Sequence, residues 1–113
     1  MAKSIQCRID IKPLSVNEAW QGKRFKSPKY KKYEALLLKL IPMNKVPDGK
    51  LCLEVTFGFS NVASDADNPV KPLADILQKR YGFNDKQIYK VVLRKEIVKK
   101  GNEFIEYTIT QLN

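Results

Sequence analysis

Apolar residues recur along this chain with two different periods, and the switches between them mark its elements. Ile5, Cys7, Ile9 and Ile11 alternate with polar residues, the period of a strand with one buried face, until Pro13 stops it. Residues 13–27 are polar and basic with no sustained period and read as a loop, with Asn17, Trp20 and Phe25 as its landmarks. Ser27-Pro28 then supplies an N-cap and a proline at the first helical position. On a 3.6-residue wheel, Tyr30, Tyr33, Leu36, Leu37, Leu40 and Ile41 share one arc, with Lys31, Lys32 and Lys39 opposite. Pro42 and the Pro47-Asp48-Gly49 turn close this amphipathic helix.

The period then returns to two. Leu51, Leu53, Val55, Phe57 and Phe59 alternate over nine residues, the strongest strand signal in the sequence. After Ser60-Asn61 comes Asp65-Ala66-Asp67-Asn68-Pro69, where Asp67 or Asn68 would cap a helix running to about Arg80. Gly82 is placed to end that helix in a left-handed conformation. Two β-rich runs, Ile88 to Val98 and Phe104 to Thr110, flank Lys99-Lys100-Gly101-Asn102, which reads as a hairpin loop. The order β-α-β-α-β-β predicts an α+β fold, one small mixed sheet with two helices on one face. At 113 residues, without repeats or linkers, the chain is expected to form a single domain over 1–113.

Composition narrows the chemistry. The absence of histidine excludes Ser-His-Asp and Cys-His catalysis and His-ligated zinc. Cys7 and Cys52 are too few and too far apart for a zinc site and are expected as reduced thiols inside the protein. The longest apolar run, Ala35 to Leu38, is far short of a membrane span, and the first twelve residues lack the apolar stretch of a signal peptide. A cytoplasmic location without membrane contact is therefore expected. The net charge of +9 points to an anionic partner, most often nucleic acid. Residues 19–33 hold Lys23, Arg24, Lys26, Lys29, Lys31 and Lys32 and no carboxylate, and 17 lysines against four arginines suit phosphate contacts better than bidentate base reading.

Against that background, the carboxylates Asp65, Asp67 and Asp75 crowd into eleven residues. In an extended segment, aspartates at i and i+2 project to the same side, where their repulsion is relieved by a cation. Oxygen-only ligation suits Mg²⁺ or Mn²⁺; the alternative is a solvated turn with Asp67 capping the helix. Lys71, about one turn into that helix, could reach a phosphate held at its start, or simply pair with Asp75 at i+4. Asp75 lies eight residues beyond Asp67, about 12 Å along the axis, too far to share metal ligands with Asp65.

The series Asp65-x-Asp67-Asn68-x-x-Lys71-x-x-x-Asp75-x-Leu77, with Gly82 and Asp85-Lys86-Gln87-Ile88 after it, resembles the RusA family of Holliday-junction resolvases. Pro13-x-x-x-Asn17-x-x-Trp20, the basic stretch and Tyr30 are similar too, so the resemblance covers about residues 5 to 110. It implies a homodimeric, Mg²⁺-dependent endodeoxyribonuclease that binds four-way DNA junctions and makes paired symmetric nicks. It implies Asp65, Asp67 and Asp85 as metal-binding residues and Lys71 as a catalytic lysine, with Asp75 a further acidic position. Asp85 would reach the site by the turn after Gly82 or come from the partner subunit. Asn17, Lys23, Arg24, Lys26 and Lys29 are the expected DNA contacts. Where many relatives carry two consecutive aspartates this chain has Asn84-Asp85, an amide in place of one charge. A flap or fork nuclease of the same fold, and a non-catalytic DNA-binding module, are the alternatives.

Overall fold

The computed structural model describes residues 4–21 and 25–112. Its centre is a four-stranded mixed sheet in the order β1-β6-β4-β5, built from β1 (Ser4–Ile9), β4 (Leu51–Phe59), β5 (Ile88–Ile97) and β6 (Phe104–Gln111). β4 is the most apolar strand and takes an interior position, parallel to β5 on one side and antiparallel to β6 on the other. β1 completes the sheet antiparallel to β6. The sheet with α2 (Pro28–Leu40) and α3 (Val70–Tyr81) gives the expected α+β fold.

Three local expectations change. The Lys99–Asn102 segment does not join hairpin partners, because β4 lies between β5 and β6; the turn instead crosses the end of β4, where the Val98 N–H donates to Phe59 O at 2.7 Å. A strand whose every second residue is apolar buries most when neighbours flank both its edges. The stretch expected as a loop contains a short helix, α1 (Val16–Ala19), and a small ribbon of β2 (Trp20–Gln21) with β3 (Phe25–Lys26). Ser15 caps α1 by accepting from Glu18 N–H. Ser27 secures the ribbon's base: its N–H donates to Ala19 O at 2.8 Å and its hydroxyl to Glu18 O at 2.5 Å. Neither Asp67 nor Asn68 caps α3; the N-cap position is Pro69, without a side-chain hydrogen bond.

The core lies between the helices and one sheet face. β4 sends Leu51, Leu53, Val55, Phe57 and Phe59 into it, α2 Tyr30, Tyr33, Leu37 and Ile41, and α3 Leu73, Ile76 and Leu77. The wheel for α2 is too generous, since Leu36 and Leu40 are 44% and 50% exposed. Cys52 is buried and Cys7 half-buried, both free thiols. Arg80 on α3 clasps the end of α2, donating through Nε and Nη2 to Ile41 O at 2.9 and 2.7 Å. Gly82 ends α3 with φ 75°, the left-handed cap its place in the sequence predicts. No helix among the described residues is long and apolar enough to cross a membrane.

Candidate active site

The connection β4–α3–β5 carries most of the expected chemistry. Its first loop holds Asp65 and Asp67, the exposed side of α3 holds Lys71 and Asp75, and the turn after Gly82 holds Asp85. Because β4 and β5 are parallel neighbours, α3 must run back along the sheet, which puts Asp85 at the opposite end of the helix from Asp65 and Asp67. A groove of about 310 Å³ is lined by Asp67, Val70, Lys71, Ala74, Asp75, Gln78, Asp85 and Leu93.

The turn bearing Asp85 is held from both sides. Gln78 Oε1 accepts from the Asp85 N–H at 3.1 Å, tying the turn to α3. Asn84 caps the short 3-10 turn Asp85–Gln87: its Oδ1 accepts from Lys86 N–H at 2.9 Å, while Gln87 Oε1 accepts from Asn84 N–H at 3.0 Å. Gln87 also donates through Nε2 to Gly49 O at 3.0 Å. Asn84 therefore does a capping task that asparagine and aspartate perform about equally well. Its amide orients the segment that carries Asp85.

Lys71 Nζ donates to Asp75 Oδ1 at 3.0 Å across one helical turn, with the lysine side chain 64% exposed. Asp75 also acts on α2: the Tyr30 hydroxyl is pushed up to about 12, chiefly by burial and then by the negative charges of Asp75 and Glu34. An exposed ion pair of this kind contributes little to stability, so Lys71 is readily released to an incoming phosphate.

The segment that holds Asp65 and Asp67 is not extended. The chain between them and α3 is turned, with Asn68 N–H donating to Asp65 O and Val70 N–H to Asp67 O, both at 3.3 Å. The i, i+2 rule holds for extended backbone and lapses in such turns. Asp67 lines the 310 Å³ groove, whereas Asp65 lines a larger one of about 760 Å³. That second groove runs between the end of β4, the segment before α1 and the turn before β6, and includes Lys12, Asn68 and Lys100. Val16 N–H donates to Asn68 O at 2.9 Å, fastening α1 against the aspartate loop.

Among the described residues, no three Asp, Glu or Cys side chains stand close enough together to hold a metal ion. Asp65 and Asp67 before α3, and Asp85 after it, are hard oxygen donors of the kind that suits Mg²⁺, which commonly takes only one or two carboxylates with waters and phosphate oxygens. In donor chemistry the residues present fit such an ion.

The expected DNA contacts scatter. Lys23 and Arg24 lie outside the described residues. Asn17 is exposed on α1, and Lys29 is 73% exposed with a long 3.9 Å pairing to Glu18. Lys26 is engaged inside the chain, at 3.0 Å from Glu34 and over the Tyr30 ring. Tyr30 is core, Trp20 packs edge-on against it at 5.6 Å, and Phe25 stands 71% exposed. The helical period sets Gln78, three residues beyond Asp75, beside Lys71 and Asp75 on α3, whereas sequence reasoning missed Lys12 and Lys100, which had no such signal.

Comparison with known proteins adds one finding. A family model described as Endodeoxyribonuclease RusA matches residues 11–108, nearly the whole chain and all of the segments just described. A search of curated proteins returned no match.

Proposed function

The chain belongs to the RusA endodeoxyribonuclease family, and from that premise we propose that residues 1–113 form one structure-selective nuclease domain that resolves four-way DNA junctions. It acts in the cytoplasm as a homodimer, nicking two strands of like polarity symmetrically, because a two-fold enzyme on a two-fold substrate presents one site to each. The observation that carries this reading is the groove along α3 that Asp67, Lys71, Asp75 and Asp85 line.

The roles follow from chemistry. Asp65, Asp67 and Asp85 would hold a divalent cation, Mg²⁺ or Mn²⁺, with Asp85 brought in from the far end of α3 or supplied by the partner subunit. When bound, such an ion supplies Lewis acidity and lowers the pKa of a bound water, which phosphodiester hydrolysis requires. Lys71 neutralises charge that builds on the phosphate, with Asp75 positioning its ammonium until substrate arrives. Gln78 and Asn84 fix the Asp85 turn. The duplex arms are held by Asn17, Lys23, Arg24, Lys26 and Lys29 through backbone contacts that read shape rather than sequence.

The test is cleavage of a labelled mobile four-way junction with Mg²⁺ or Mn²⁺, with flap and linear duplex as controls. Wild type is expected to make paired, symmetric nicks in the junction, and Asp67→Asn to lose about a hundredfold or more of the rate while still binding. Preference for the flap would reassign the substrate. Junction binding that no metal converts to cleavage would leave a DNA-binding module. No junction binding would sink the reading.

A further inference from the structure

β5 forms one margin of the sheet. Its inner edge bonds to β4, and among the described residues no strand pairs with its outer edge. Ten residues without proline make a long open edge, of the kind proteins normally shorten, break or cover. Tyr89, Val91 and Ile97 on this strand are 65%, 49% and 49% exposed. The hydrogen bond from Val98 N–H to Phe59 O sets which peptide groups are free. Peptide groups alternate between the edges of an extended strand, so Val91, Leu93, Lys95 and Ile97 turn theirs outward.

Charge and face then select the partner and its register. Two identical strands paired about a two-fold axis keep core-side residues opposite core-side residues only when the axis passes through a residue pair. Centred on Val92, Lys90 faces the partner's Arg94; centred on Arg94, two guanidinium groups meet. Centred on Leu93, no like charges meet, and Val92 faces the partner's Arg94. Leu93 meets its own copy, Tyr89 meets the partner's Ile97, Val91 the partner's Lys95, and Lys90 the partner's Glu96. Lys95 can tolerate Val91 because its ammonium is turned back to Val62 O at 2.7 Å, leaving its methylene stem at the edge. Arg94 is held by Glu54 at 3.1 Å, whereas neither Lys90 nor Glu96 makes an ion pair among the described residues.

We propose that β5 is the homodimer interface, pairing antiparallel with β5 of a second copy about Leu93 and joining two four-stranded sheets into one. Leu93 also lines the acidic groove, so this axis sets both grooves on one face, side by side, as paired nicking of one junction needs. The inference rests on the homodimer reading above and not on nuclease activity.

Sedimentation equilibrium without DNA tests it, on wild type, Lys90→Glu, Glu96→Lys and the double exchange. Both positions are exposed, and thermal unfolding by circular dichroism checks that every variant folds. Each single exchange places like charges opposite one another twice and is expected to weaken the dimer about tenfold; the double exchange restores it to within about threefold of wild type. A wild type that stays monomeric overturns both this surface and the homodimer reading. A dimer indifferent to the single exchanges, or not recovered by the double, overturns this surface alone.

Discussion

Glu34 shows how far a single residue's state depends on partners remote in sequence. It sits on α2 between Lys26 of β3 at 3.0 Å and Lys79 of α3 at 3.2 Å, with its side chain 15% exposed. Burial alone would push its carboxyl up, but the two ammonium groups outweigh it and hold the carboxyl below the usual value. A carboxylate depressed in the folded state contributes stability above its unfolded pKa and loses that contribution as pH falls through the folded one. Glu34→Gln is therefore expected to lower stability by roughly 1 kcal/mol at pH 7, with the gap closing below about pH 4, as denaturant titrations at both pH values would read. Nothing in the sequence joins Glu34 to Lys79. By contrast, the Lys71–Asp75 pair is an i, i+4 relation and was legible from spacing alone.

At the scale of elements, β4 sets the terms for everything around it. Its alternation was plain in the sequence, and its interior place follows from that apolar content. Gly58 breaks the pattern on the opposite face for a packing reason. The Phe104 ring lies directly over it in the neighbouring strand, where an added Cβ would collide with the ring, and the Arg8 guanidinium covers that ring at 3.9 Å. Gly58→Ala is expected to destabilise by about 1–3 kcal/mol, read from urea midpoints, and Phe104→Leu in the same chain to recover part of that loss. The supposed hairpin at Lys99–Asn102 and the extended backbone supposed at Asp65–Asp67 both gave way for one reason. Each assumed local geometry, and each is governed by what lies alongside: β4 between two strands in one case, a run of turns leading into α3 in the other.

For the whole molecule, the +9 charge dictates how DNA is held. Junction affinity is expected to fall steeply with salt, since each lysine–phosphate contact releases a counterion. Lys29→Ala should weaken four-way and linear DNA alike and reduce the slope of log K against log[salt] by roughly one, as fluorescence anisotropy across a salt series would show. An unchanged slope would remove Lys29 from the interface. The open face of the sheet is a poorer candidate for phosphate, because its arginines are already answered: Arg8 lies 3.7 Å from Glu106, and Arg94 pairs with Glu54.

What the sequence determined by itself was whatever a short stretch of backbone can express. The periods of β1, α2, β4 and α3, the proline and glycine boundaries, the left-handed Gly82 and the Lys71–Asp75 pair all depend on residues within a turn or two of one another. Even the carboxylate series was visible as a spacing. Only the tertiary structure decided strand order, the distribution of Asp65 and Asp67 between two grooves, the clamp of Gln78 on the Asp85 turn, and the open edge at β5. Those features depend on which surfaces compete for burial and which backbone groups remain to be bonded once the chain has closed on itself, and such competition leaves no periodic trace in the residues that take part.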